Sequence, residues 1–148
     1  MEEEKILLNK MNAALGWELR AINMYAHYAA NVKGIHRLQL SPMFNTEMTE
    51  SITHADIVRK AIVQLGGIPV TERDTHPITH TTDFLEMLNY SLETEKKAAE
   101  LYDELLNLIS KTNEEDLKDA IEQIYLSELR SVEAVSYTHL TLPTICSV

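Results

Sequence analysis

The chain has 148 residues, 45% hydrophobic, 24% charged and 6% aromatic, enough for one buried core and too few for two. Lysine and arginine number 13 against 23 aspartates and glutamates, a formal charge of −10, which argues against nucleic acid or an anionic membrane as partner. No run approaches the roughly 18 apolar residues of a membrane span, the acidic start Met1-Glu2-Glu3-Glu4-Lys5 is unlike a basic secretory signal, and a single cysteine, Cys146, excludes an intrachain disulfide or a cysteine-based zinc site. The expectation is a cytoplasmic protein in which carboxylates and histidines hold any metal.

Gly34, Gly66-Gly67, Pro69 and Pro77 fall between long segments with a 3-4-3-4 apolar spacing, the signature of amphipathic helices. The first stripe is Leu7, Met11, Ala14, Glu18, Ala21, Tyr25, Tyr28 and Val32. The second is Leu40, Phe44, Glu47, Ser51, His54, Val58, Ala61 and Leu65, with Ser41-Pro42 as an N-cap and first-turn pair. The third runs Phe84, Leu88, Ser91, Glu95, Ala98, Tyr102 and Ile109. The fourth runs Leu117, Ile121, Ile124, Glu128, Ser131 and Val135, entered through the capping box Thr112-Asn113-Glu114-Glu115. After residue 134 the character changes. Residues 135–148 (VSYTHLTLPTICSV) contain no Asp, Glu, Lys or Arg, and the helical period is expected to stop at Val135. SYTHLTLPT resembles translated sequencing-adapter sequence, so residues 1–134 are read as the domain and 135–148 as a non-native tail that replaces the natural C-terminus.

Four such helices imply an all-α bundle. Short connections make the first and second helices, and the third and fourth, antiparallel neighbours. Residues 66–82 can span roughly 55 Å when extended, more than a 27-residue helix of about 40 Å. One long crossover between helices two and three gives the ferritin-like arrangement of hairpins. The halves also repeat: Glu-Leu-Arg-Ala-Ile-Asn-Met-Tyr at 18–25 aligns with Glu-Lys-Lys-Ala-Ala-Glu-Leu-Tyr at 95–102. The 77-residue offset carries Ser51 onto Glu128 and His54 onto Ser131.

Glu18 and the Ser51-His54 pair lie about equally far from the first turn, and Glu95 and the Glu128-Ser131 pair from the second, roughly 25 Å at 1.5 Å per residue. Glu18, His54, Glu95 and Glu128 are therefore expected together at mid-bundle. One acid on a stripe reads as a boundary residue. Three at symmetry-related heights are a coincidence of roughly one in 200 before allowing for the choice of level, given acids at about one residue in six. Unpaired buried carboxylates cost several kcal/mol each, and no Lys or Arg shares these stripes. A cation resolves this, and carboxylates with imidazole and open positions suit iron or manganese better than structural zinc. Tyr25 and Tyr102 read as packing ahead of redox participation, with Tyr25 kept in the candidate catalytic set. His27, His36, His76 and His80 are expected to face solvent, and the methionines to fill core.

Leu8-Asn9, then Glu18-Leu19-x-Ala21-Ile22-Asn23-x-Tyr25, His54-Ala55-Asp56 and Leu65-x-Gly67-Ile68-Pro69 resemble the bacterioferritin branch of the ferritin-like superfamily over about residues 5–134. The resemblance implies iron storage in a hollow homo-oligomeric shell and a ferroxidase that oxidises ferrous iron with oxygen or peroxide. It also implies a di-iron site in which each half supplies a Glu from its first helix and an E-x-x-H pair from its second. Here both pairs depart from the pattern: Ser51-x-x-His54 lacks the glutamate and Glu128-x-x-Ser131 lacks the histidine. Three carboxylates carry −3, so two ferrous ions leave +1 and one leaves −1. The expectation is one good position (Glu18, His54, Glu128), one weak position (Glu95, shared Glu128) and a weakened ferroxidase. Glu47 stands as a substitute ligand, with Glu50 one turn from the gap but off the stripe. Haem is disfavoured, since the position that carries the family's haem methionine is Ile52. Three other functions compete: a non-catalytic subunit assembling with active partners, a DNA-protecting miniferritin disfavoured by the charge, and a rubrerythrin-like peroxidase disfavoured by the lone cysteine.

Overall fold

The computed structural model describes residues 2–146, which form four helices: α1 (Glu2–Asn31), α2 (Arg37–Gln64), α3 (Phe84–Ile109) and α4 (Glu115–Cys146). Their ends follow local chemistry. Three glutamates in the first turn of α1 face its partially positive N-terminus. Asp83 caps α3 by accepting a hydrogen bond from Leu85 N at 2.9 Å. α2 closes in a Schellman motif: Gly67 N donates to the Ile62 carbonyl at 2.9 Å, and Gly66 N to that of Val63 at 3.0 Å. Gly66 sits at φ +82°, where a side chain would be strained.

The crossover lies along α1 in the same direction as that helix. Asn12 Nδ2 donates to the Ile68 carbonyl at 3.0 Å and its Oδ1 accepts from Val70 N at 2.9 Å. Asp74 N reaches the Gly16 carbonyl at 2.9 Å, an approach in which a Cβ on Gly16 would already touch the Asp74 backbone at 3.4 Å. Farther along, Arg20 donates to the carbonyls of His76 and Pro77, both at 3.0 Å, and to Thr94 Oγ1 at 3.1 Å. Tyr28 OH donates to the Thr79 carbonyl at 2.9 Å. The crossover thus delivers α3 to the α1–α2 turn, where Phe84 packs on His36 with ring centroids 4.3 Å apart. α3 then runs antiparallel to α1, as the expected ferritin-like topology requires.

Four local expectations need correction. α2 starts at Arg37, before Ser41-Pro42. The tight turn at Gly34 (φ +88°) already feeds the helix, Ser41 Oγ donates to the Ala29 carbonyl at 3.0 Å, and Pro42 omits a bond only to exposed Leu38, whose carbonyl water can serve. Thr112 belongs to the turn, its Oγ1 donating to the Ile109 carbonyl at 2.8 Å, and α4 begins at Glu115. His36 is buried against Phe84 and His27 is half-buried, so neither simply faces solvent. The period does not stop at Val135: α4 continues to Cys146, and Val135, Thr138 and Leu142 extend the buried stripe. Absence of charge hid that spacing, which needs only one apolar or hydroxyl-bearing face; residues 147–148 lie outside the described chain.

The stripes build two apolar layers. One gathers Leu7, Met11, Leu15, Val58, Ile62, Leu105 and Ile121. The other, nearer the α1–α2 turn, gathers Met24, Tyr28, Phe44, Leu88, Val135 and Leu142. Leu142→Ala is expected to cost about 2–4 kcal/mol, whereas Leu140→Ala, at 69% exposure, stays within about 0.5 kcal/mol; denaturant unfolding of both variants checks this. Among the described residues no helix is long and apolar enough to cross a membrane.

Candidate metal centre

Between the apolar layers lies a buried polar one. Glu18, Glu95 and Glu128 are each at most 2% exposed, His54 and Glu47 7% and Ser51 and Ser131 at most 5%, so water screens little of their charge. The stripes place Glu18 on α1, Glu47, Ser51 and His54 on α2, Glu95 on α3, and Glu128 and Ser131 on α4.

His54 Nδ1 is the hub, 3.0 Å from Glu18 Oε2 and 2.9 Å from Glu128 Oε1. Glu18, His54 and Glu128 each offer one ligand atom within 4.8 Å of the others. Glu95 stands across from them: it shares a hydrogen bond with Glu128 and accepts one from Tyr25 OH at 2.6 Å. Tyr102 OH donates to Glu18 Oε2 at 3.2 Å. These tyrosine bonds are related by the 77-residue repeat, each half's tyrosine holding the other half's first-helix glutamate. At the serine end, Ser131 Oγ lies 2.9 Å from Glu47 Oε2 and 3.3 Å from Glu50 Oε2. Its single proton serves one of them at a time.

Burial governs the protonation of this layer. Burial drives His54 toward neutrality, but hydrogen bonds to Glu128 and Glu18 and their charges outweigh it and push the imidazole up to about 10. Burial raises Glu18 and Glu128 against the opposing pull of His54. Glu95 is raised well above the carboxylate range by burial and then by Glu128's charge, so it carries the proton it shares with Glu128. Burial, then Glu95, pushes Glu47 up to about 7. Without a metal the layer is therefore neutralised largely by protons, a condition a cation can replace.

The structure brings Glu18, His54, Glu95 and Glu128 to one level and places Tyr25 and Glu47 at its edges. Two participants named from the sequence stayed outside its candidate set, Tyr102 as a packing residue and Glu50 as a residue off the stripe. The hydrogen bond of Tyr102 to Glu18 leaves a trace only in the repeat, which pairs Tyr102 with Tyr25. Glu50 lies off the stripe, and its side chain reaches Ser131 only because serine is short.

The Ferritin-like domain family matches residues 8–142. Among solved structures, the fold is similar to a ferritin-like, diiron-carboxylate protein from Bacillus anthracis str. Ames: TM-score 0.89, 29% identity, 94% of this chain and 99% of that one. It is also similar to the bacterioferritin-related protein from Bacteroides fragilis, described as a dodecameric thioferritin: TM-score 0.85, 25% identity, 97% of this chain and 89% of that one. No curated protein matches the sequence.

Proposed function

The chain belongs to the ferritin-like domain family, and on that premise we propose that it is a bacterioferritin-like protein that takes up ferrous iron at the bundle centre, oxidises it with oxygen or peroxide and stores it in a shell of its own copies. The observation that carries this reading is the convergence of Glu18, His54 and Glu128 on one buried point. The donors fit iron: carboxylate oxygens and one imidazole with no sulfur, buried where uncompensated charge is costly. The similarity to a diiron-carboxylate protein supports the same chemistry, and the dodecameric neighbour supports a closed assembly.

Glu18, His54 and Glu128 would hold the better iron position, Glu95 with shared Glu128 the poorer, and Glu47 adds a carboxylate beside the poorer one. Iron, when bound, supplies the one-electron chemistry that passes electrons to oxygen or peroxide. Tyr25 and Tyr102 orient Glu95 and Glu18 through hydroxyls the protein has already desolvated. His54 would release the Nδ1 proton it shares with Glu18 and Glu128, and the Glu95–Glu128 pair the proton held between them, both to solvent, before these groups ligate. The apolar layers on both sides keep bulk water from the reacting atoms.

Glu18→Ala and His54→Ala are each expected to abolish the tighter iron site, whereas Glu95→Ala mainly weakens the second. Ferrous titration of the three variants checks this, and equal losses from all three would contradict the asymmetry. A second reading, a non-catalytic subunit assembling with active partners, is favoured by the two serines buried in ligand positions. That subunit would take no iron at the centre.

A further inference from the structure

Outside the central layer, α1 and the crossover bring two imidazoles together. His27 Nε2 and His80 Nδ1 lie 2.9 Å apart, with ring centroids 5.1 Å apart and planes at 73°. Both residues are anchored. Asn31 Nδ2 donates to the His27 carbonyl at 2.8 Å, and the residue before His80 is held by Tyr28 OH at 2.9 Å. A hydrogen bond between two such groups at the surface adds little, because water serves either as well. Two imidazole nitrogens presented to one point do more for a cation. Ligand bonds of 2.0–2.1 Å at a tetrahedral angle place such nitrogens about 3.3 Å apart, so an ion needs them to separate by a few tenths of an ångström and the exposed rings to turn until both lone pairs meet on it. The chain's −10 charge raises the local concentration of cations.

We propose that His27 and His80 form a second metal site on the outside of the bundle, which takes one Zn(II), Ni(II) or Cu(II) ion per chain with water completing the shell. Imidazole nitrogen selects these borderline ions over Mg(II), Ca(II) and Mn(II), and the order of divalent affinities places Fe(II) below them. The site therefore separates from the carboxylate-rich centre by ligand chemistry as well as by place. Because one ligand comes from α1 and the other from the crossover, the ion staples the crossover to the helix it follows.

The assembled protein is titrated with Cu(II) and followed by electron paramagnetic resonance, and with Zn(II) and followed by thermal unfolding. The expected result is one Cu(II) per chain with a two-nitrogen signature, and a Zn(II)-dependent rise in Tm reversed by chelator. His27→Gln and His80→Gln keep a hydrogen-bonding side chain in place, and each should weaken Cu(II) binding at least about tenfold while ferrous oxidation is unchanged. His54→Ala should leave the two-nitrogen signal intact, so this site and the central one fail separately. Copper binding that is the same in the parent and both Gln variants, or a two-nitrogen signal lost in His54→Ala, would overturn the proposal.

Discussion

Ser51→Glu combined with Ser131→His is expected to raise the rate of ferrous oxidation at least about tenfold, the lower end of what a lost ligand-shell contact costs. Both positions are buried at the level of the candidate ligands, so the new side chains enter the layer without crossing an element. The gain rests on charge and geometry together. Glu18, Glu95 and Glu128 carry −3 against +4 for two ferrous ions, and a carboxylate at position 51 brings the pair to neutrality. It also supplies a bridge at the roughly 3.5 to 4 Å separation that two-metal chemistry uses. An imidazole at position 131 completes the poorer position and takes over the Ser131 hydroxyl's contact with Glu47. Each single substitution should give less than half of the logarithmic gain, because both positions must fill. Stopped-flow oxidation of the parent, the two singles and the double makes the comparison. A double variant that binds two irons per chain yet oxidises them no faster would show that the serines do not limit the reaction.

The metal-free protein should lose stability as pH rises from about 5 to 8. Burial, and then Glu95, pushes Glu47 up to about 7 in the folded state, against 4.5 for an ordinary carboxyl. A raised carboxyl contributes stability that is fully present below its unfolded value and is lost as pH climbs through the folded one. His54, at about 10 against 6.5, has the same sign in a higher window: its contribution is full below 6.5 and lost between there and about 10. The upward shifts of Glu18, Glu95 and Glu128 add in the same direction. Glu47→Gln should therefore stabilise the metal-free protein at pH 8 by on the order of 3 kcal/mol, the scale of its displacement, or roughly 6 to 12 °C in Tm for a chain of this size, with little change at pH 4.5. Ferrous loading under anaerobic conditions should reverse the decline, since the ion replaces protons as counter-charge. A metal-free Tm that rises between pH 5 and 8 would contradict this account of the layer.

Much of the fold was legible because burial imposes a period. The 3-4 spacing through Leu7, Met11 and Ala14, or Leu117, Ile121 and Ile124, identifies helices wherever apolar and charged faces alternate. Where that contrast fades the period is harder to see, which is why its continuation past Val135 to Thr138 and Leu142 leaves no clear mark in the sequence. Helix starts were less legible than helix bodies. Ser41-Pro42 carries an N-terminal signature, yet the turn at Gly34 places the start five residues earlier, with His36 as the N-cap, and leaves Pro42 as a tolerated interruption. The level shared by Glu18, His54, Glu95 and Glu128 could be found from helical rise and the 77-residue repeat, because both are properties of the chain. Contacts that depend on side-chain reach could not. Tyr102 to Glu18, Glu50 to Ser131 and His27 to His80 follow from how elements pack, and only the first leaves a trace in the repeat.

On the proposed reading, one buried position binds iron well and its neighbour poorly. Anaerobic ferrous titration of the assembled protein, with metal counted per chain, should then show one tight equivalent per chain, lost in Glu18→Ala, followed by a second that is weaker and sensitive to Glu95→Ala. Two equivalent tight ions per chain, or no iron bound at the bundle centre, would contradict it.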